Sequence, residues 1–259
     1  MKTKLKIVKI GGNLIDDAEV LATLLKDFSA IKEPKILIHG GGKIATATSK
    51  KLGIESKLVE GRRITSAEDL EVITMVYAGL LNKNIVAQLQ ANNCNALGLS
   101  GADANCVQAN LRHKEPVDYG FVGDVNHINS AIIQQLLTAQ LTPVFCAISH
   151  DGKGQLLNTN ADTVTAEIAI AMSKYYEVEL MYCFEKNGVL ENVEDENSVI
   201  PKINTAKYEA LKANQQIHQG MLPKMQNCFY ALKNGVANVV IGSSKLLQSN
   251  STLFTQLSL

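Results

Sequence analysis

Two short β-branched runs, Leu5 to Ile10 and Lys35 to His39, each end in glycines, Gly11-Gly12 and Gly40-Gly41-Gly42, and each leads into residues with helical apolar spacing. A strand that is apolar along its length is buried on both faces, and one that feeds a helix through a glycine turn opens a βα unit. After Gly11-Gly12 the segment Asp16 to Ile31 places Val20, Leu21, Leu24, Leu25 and Phe28 on one helical face, and a second helix follows Gly42 to about Leu52. Thr65 with Glu68 reads as a capping box that opens a long amphipathic helix running past residue 85. Further on, the spacing predicts a helix over 129–139, a strand over 143–148, a helix over 162–174 and a strand over 178–184. Helices over 204–214 and 222–234 and a strand over 237–241 follow. Between Ala96 and Val125, short alternating segments broken by Gly101, Pro116, Gly120 and Gly123 predict β-hairpins. Repeated βα alternation argues for an α/β sandwich with a largely parallel sheet, and for a tight boundary near residue 173.

Composition narrows the function classes. With 46% hydrophobic and 19% charged residues the chain is an ordinary globular one. Its 25 Lys plus Arg balance 25 Asp plus Glu, so no net field favours nucleic acid or an anionic membrane surface. Cys94, Cys106, Cys146, Cys183 and Cys228 are odd in number, form no Cys-x-x-Cys pair and read as buried thiols of a reducing compartment. No stretch approaches 18 apolar residues, and the first residues run straight into a strand with no cleavable segment, so a cytoplasmic protein is expected and the Asn250 sequon reads as chance.

The glycine turns are where chemistry is expected. Backbone N–H groups at a strand-to-helix turn are unpaired and meet the positive end of the helix dipole, which suits phosphate. Glycine can equally serve only the tight turn. Gly40-x-Gly42-x-x-Ala45 with Glu60 about 20 residues on matches a dinucleotide fingerprint, but it leaves Lys9-Ile10-Gly11-Gly12 unexplained. No Walker A loop occurs. Lys9 is sharper: a cation in the last turn of an apolar strand must meet an anion or pair with a core carboxylate. Asp162 is a candidate partner as well as a helix N-cap, and Lys224 is a second cation in a loop entering a helix. Two lysines, one organising aspartate and two glycine loops suit phosphoryl transfer, which needs positioning and charge neutralisation rather than a nucleophilic side chain. His39 either braces a turn or reacts, and no metal-ligand set is present.

Val8-Lys9-Ile10-Gly11-Gly12, Ile38-His39-Gly40-Gly41-Gly42, Gly61-Arg62-Arg63-Ile64-Thr65, Asn158-Thr159-Asn160-Ala161-Asp162 and Gly220-Met221-Leu222-Pro223-Lys224 together resemble the acetylglutamate kinases of the amino acid kinase family. The resemblance implies a three-layer αβα sandwich and transfer of the ATP γ-phosphoryl group to the γ-carboxylate of N-acetyl- or N-succinyl-L-glutamate, in arginine biosynthesis. It implies that Lys9 and Lys224 stabilise the group in flight and that Asp162 holds both. Gly11, Gly12 and Gly41 would donate to phosphates, and Gly41 and Gly42 would also approach the acceptor. Arg63 would grip its α-carboxylate, Asn158 its amide, and Asn160 would steady that shell. Glu185, Gly188, Leu190, His218, Gly220 and Met221 would meet the nucleotide, with Mg²⁺ arriving on ATP. Residues 1–172 would bind the acyl-glutamate under a hairpin lid at about 101–125, and 173–259 would bind ATP. Glu185 stands where the family usually has Asp, His218-Gln219 replace its common residues before the Gly220 turn, and the usual Gly-Thr near the end is missing. The short segment before the first strand implies an arginine-insensitive enzyme, and the long helix from Ser66 implies a homodimer face. Another acceptor within the family, a silent sensor on the same fold and a dinucleotide-dependent oxidoreductase are the alternatives.

Overall fold

The computed structural model describes residues 2–59, 62–192, 194–214, 217, 221–248 and 251–259. Two compact units emerge, residues 1–36 with 165–259, and residues 37–164. Along the chain the first begins with β1 (Lys4–Ile10), α1 (Gly12–Asp16) and α2 (Ala18–Ala30), and β2 (Lys35–His39) carries the division. The second unit runs through α3 (Gly42–Lys51), β3 (Lys57–Val59), β4 (Arg62–Ile64), α4 (Ala67–Thr74), a π-helical stretch (Met75–Leu81), α5 (Asn82–Ala91), β5 (Ala96–Leu99), β6 (Val107–Leu111), β7 (Gly123–Ile128), α6 (Ser130–Thr138), β8 (Thr142–Cys146), β9 (Ile148–His150) and β10 (Leu156–Asn158). Helix α7 (Ala161–Ser173) leads back, and β11 (Glu177–Phe184), β12 (Lys202–Ile203), α8 (Thr205–Ala213), α9 (Leu222–Lys233), β13 (Asn238–Ser243) and β14 (Thr255–Leu257) complete the first.

In the first unit β1 pairs in parallel with β11 from Lys4–Glu177 to Ile10–Cys183, and β11 pairs in parallel with β13. Leu5, Ile7, Val8, Ile10, Leu180 and Tyr182 are fully buried, as the apolar runs predict. That ladder explains why the compact units do not follow one cut at 172/173: β1 finds its partner some 170 residues on and draws α2 with it. Helix α2 starts at Asp17, whose carboxylate accepts from Glu19 N and Val20 N, rather than at Asp16, because α1 forms its own turn first. Its last carbonyls, Ser29 O and Ile31 O of the following turn, accept from Lys35 Nζ at 2.8 and 2.7 Å, so a strand lysine caps the preceding helix.

In the second unit β2, β8 and β5 are parallel neighbours, and β10, β9, β6 and β7 form a second sheet with β6 and β7 as an antiparallel hairpin. The hairpin expectation is therefore right for 107–128 and corrected for Ala96–Leu99, which is a parallel strand against β8. Its neighbours decide this: α5 leads into it as the helix of a βα unit. The expected Thr65/Glu68 capping box is also corrected, since Ser66 and Asp69 form it one residue later. Thr65 is already spent, bridging Gly120 and accepting from Asn158 Nδ2 through its hydroxyl. Gly120 sits at φ +68, where a side chain would run into Thr65 O, so the hairpin loop closes onto Thr65 only with glycine there.

The helical stretch Ala67–Ala91 is, among the described residues, the one long and apolar enough by length and composition to cross a bilayer. Leu70, Ile73, Val76, Tyr77, Leu81, Ile85 and Leu89 are buried in the unit along one of its faces, the pattern of a packed core helix.

Candidate active site

In the first unit, β1 and β11 end side by side, and a cleft of about 520 Å³ opens there, lined by Gly11, Gly12, Phe184, Glu185, Gly188, Leu190, Met221 and Lys224 among others. Lys9 is buried near the strand end at 6% exposure. Lys224 lies in the first turn of α9, where the helix dipole disfavours a cation and favours an anion beside it. Both ammonium groups face one aromatic ring: Lys224 Nζ is 4.3 Å and Lys9 Nζ 5.6 Å from the Phe184 centroid. The negative π-face of the ring attracts each of the two cations. Tyr182 stacks behind at 6.1 Å between centroids.

Gly11 N–H donates to Cys183 O at 2.9 Å, which continues the pairing of β1 with β11 one residue past the strand. What Gly11 contributes is absence: a Cβ would lie 3.3 Å from Cys183 O and 3.4 Å from Phe184 Cδ1. Gly12, with nothing within 4 Å of where its Cβ would be, leaves the turn open. The 185–190 loop is held from the far end of the chain. Thr255 Oγ1 accepts from Val189 N and donates to Ile200 O, both at 2.8 Å, and a Cβ on Gly188 would lie 2.7 Å from that hydroxyl. Glu185 is exposed beside this loop. His218, Gly220, Gly61 and the fingerprint's Glu60 lie outside the described residues.

In the second unit, His39 ends β2 fully buried. Its Nδ1 meets Gly40 O at 2.8 Å and its Nε2 meets Asn82 Nδ2 at 3.1 Å. A carbonyl only accepts, so Nδ1 carries the proton and Nε2 accepts from the amide. Burial lowers the pKa to about 4, and the neutral ring braces the glycine turn. Gly41, at φ +157 and ψ 22, starts α3, and a Cβ there would overlap Leu81 Cδ1 and lie 3.0 Å from Tyr77 Cε1. Both of those side chains come from the π-helical stretch.

Arg63, on β4, has a side chain only 7% exposed. Its Nη2 donates to Gly42 O at 3.2 Å and Thr46 Oγ1 at 2.5 Å, and its Nη1 donates to Ser56 Oγ and meets Asp69 Oδ1 at 3.5 Å. The fork is thus folded onto the glycine turn. Asn158 donates from Nδ2 to Thr65 Oγ1 at 3.0 Å. Asn160 Oδ1 accepts from Asp162 N and Thr163 N, so Asn160 caps α7 and the expectation of Asp162 as the cap is corrected. Asp162 is buried at 8% exposure in the first turn of α7.

Phe184 and Asp69 were missed by sequence reasoning. The signal for Phe184 was an aromatic residue closing an apolar strand beside the glycine loop; for Asp69 it was a carboxylate three residues after a serine. The cysteines are packing residues, since burial pushes the thiols of Cys146 and Cys183 up to about 12 and that of Cys106 to about 11. Among the described residues no group of three His, Cys, Asp or Glu side chains could hold a metal ion.

The model of the amino acid kinase family matches residues 4–243. The acetylglutamate kinase of Cytophaga hutchinsonii is 52% identical over 259 residues, covering 98% of this chain and 98% of that protein. That of Bacteroides thetaiotaomicron is 49% identical over 250 residues, covering 96% and 97%. Among solved structures, that of smu.665 from Streptococcus mutans UA159 superposes with a TM-score of 0.82 at 25% identity over 98% of both chains.

Proposed function

The chain belongs to the amino acid kinase family, and from that premise we propose that it transfers the γ-phosphoryl group of ATP to the γ-carboxylate of N-acetyl-L-glutamate, as an early step of arginine biosynthesis. N-succinyl-L-glutamate is the alternative acceptor. Family membership removes the footing of the oxidoreductase reading, which rested on one glycine fingerprint. The observation that carries the proposal is the pair of ammonium groups over Phe184 at the Gly12 turn.

The acceptor γ-carboxylate oxygen attacks the γ-phosphorus, the bond from that phosphorus to the β–γ bridging oxygen breaks, and ADP leaves with the electron pair. No side chain need become a nucleophile. Charge spreads over the equatorial oxygens, and Lys9 and Lys224 neutralise it, with Asp162 organising the two as the resemblance implies. Mg²⁺ enters as the counter-ion of the nucleotide phosphates rather than in a protein cage. Gly12 turns its backbone toward the phosphates, and Glu185, Gly188, Leu190 and Met221, with His218 and Gly220, form the nucleotide side. Gly41, Gly42, Arg63, Asn158 and Asn160 form the acceptor side, and the β6–β7 hairpin its lid. We read the nucleotide half as residues 173–259 joined by β1, and the acceptor half as the rest of residues 1–172.

We also infer a homodimer through the long helix, where Met75 and Leu80 are 55% and 51% exposed, and a cytoplasmic location suited to five free thiols. Hydroxylamine trapping tests the reaction: with ATP and either acyl-glutamate the acyl phosphate becomes a hydroxamate. No hydroxamate with either acceptor from folded protein rejects the assignment.

A further inference from the structure

We infer that Asp69 is a positioning residue for acceptor recognition, holding Arg63 where it can take the acceptor's α-carboxylate; the inference rests on the reading of Arg63 given above. Asp69 is 4% exposed and both its oxygens are engaged. Oδ2 accepts from Ser66 Oγ at 3.1 Å and Ser66 N at 3.4 Å, which ties it to the first turn of α4. Oδ1 accepts from Ser56 Oγ at 2.8 Å and faces Arg63 Nη1 at 3.5 Å. Capping alone does not require a buried charge, because a neutral amide serves at that position of a capping box.

The geometry of the ion pair says what the charge is for. A committed Arg–carboxylate pair closes to about 2.7–2.9 Å and often engages two oxygens. Here one oxygen stands at 3.5 Å, with the Ser56 hydroxyl touching both partners. The remaining contacts of the guanidinium, Gly42 O and Thr46 Oγ1, are neutral. Asp69 therefore fixes the plane of the fork through α4 and lowers the cost of burying it, yet leaves it a weaker partner than an arriving carboxylate would be. The fork is held against the Gly42 end of α3, where the glycine turn presents the start of a helix to an anion.

The test compares N-acetyl-L-glutamate with its α-carboxamide, which keeps the reacting γ-carboxylate but removes the charge that Arg63 recognises. The quantity read is the ratio of kcat/KM for acid over amide. In Asp69→Asn the ratio is expected to fall about tenfold, the scale of one hydrogen bond to a charged group, through KM for the acid, while KM for ATP and kcat stay within about twofold. Ser56→Ala, which leaves the capping box intact, is expected to lower the ratio in the same direction and decides the matter should the Asn variant not fold. A wild-type ratio in the folded variants, or a loss of kcat and Tm with the ratio unchanged, overturns the inference and leaves the kinase reading standing. A wild-type protein that makes no hydroxamate at all fails the kinase reading, and the inference with it.

Discussion

Replacing Phe184 by Leu isolates what the shared ring does for the two lysines. Leu keeps an apolar side chain against Gly11 but removes the quadrupole that Lys224 meets at 4.3 Å and Lys9 at 5.6 Å. A cation–π contact contributes about 0.5–1 kcal/mol at exposed sites and about 2 kcal/mol when desolvated. Lys224 is half-buried and close; Lys9 is buried but near the outer limit of the interaction. Together they give roughly 1–2 kcal/mol, or a fall in kcat of about five- to thirtyfold. Steady-state hydroxamate formation with ATP and acceptor varied separately reads kcat apart from each KM. Phe184→Tyr keeps the ring and is expected to stay close to wild type. Full kcat in Phe184→Leu refutes the argument, and so does an equal loss in the Tyr variant, which would point to ring shape rather than to its π-face.

Lys9→Ala and Lys224→Ala are each expected to lower kcat by roughly 10²–10³, the cost of removing one transition-state donor, with ATP affinity by calorimetry little changed; a pure KM effect assigns them to ground-state binding instead. His39 gives a pH dependence of stability. Its folded pKa of about 4 lies below the ordinary 6.5, so the unfolded chain binds the extra proton between those values. Its contribution is full above pH 6.5 and is lost as pH falls toward 4, about 3 kcal/mol in all and about 2 kcal/mol by pH 5. Urea midpoints at pH 7.5 and 5 should therefore draw apart more in the wild type than in His39→Gln, and parallel shifts in the two proteins would remove the assignment.

The βα order, the buried strands and the glycine turns were legible because each depends on local spacing: Leu5 to Ile10 and Val178 to Phe184 are apolar whichever strand they pair with. Lys9 and Lys224 stood out because each breaks a local rule, one as a charge in a core strand and the other as a cation at a helix start. The ring joining them did not, since Phe184 is an unremarkable end to an apolar strand until β1 is placed against β11. Asp69 was hidden differently. Thr65 and Ser66 are both fit to cap a helix, and only the long-range bond from Asn158 shows that the first is taken. The π-helical stretch has no periodic signature of its own in the sequence, although its Tyr77 and Leu81 side chains fill the space where a Cβ on Gly41 would lie. The neutral and acidic partners of Arg63 come from three segments, around Gly42, Ser56 and Asp69, whose convergence no local spacing announces.

The pairing of β1 with β11 also sets an order of events at the ribosome. Residues 37–164 form an uninterrupted stretch that can fold as it emerges, whereas Ile10 waits for Cys183. At roughly 5–20 residues per second that wait is about ten to thirty seconds. Throughout it β1 lacks β11, one of its two neighbours in the sheet, so one side of the first strand to be made stays open until the chain has reached Cys183.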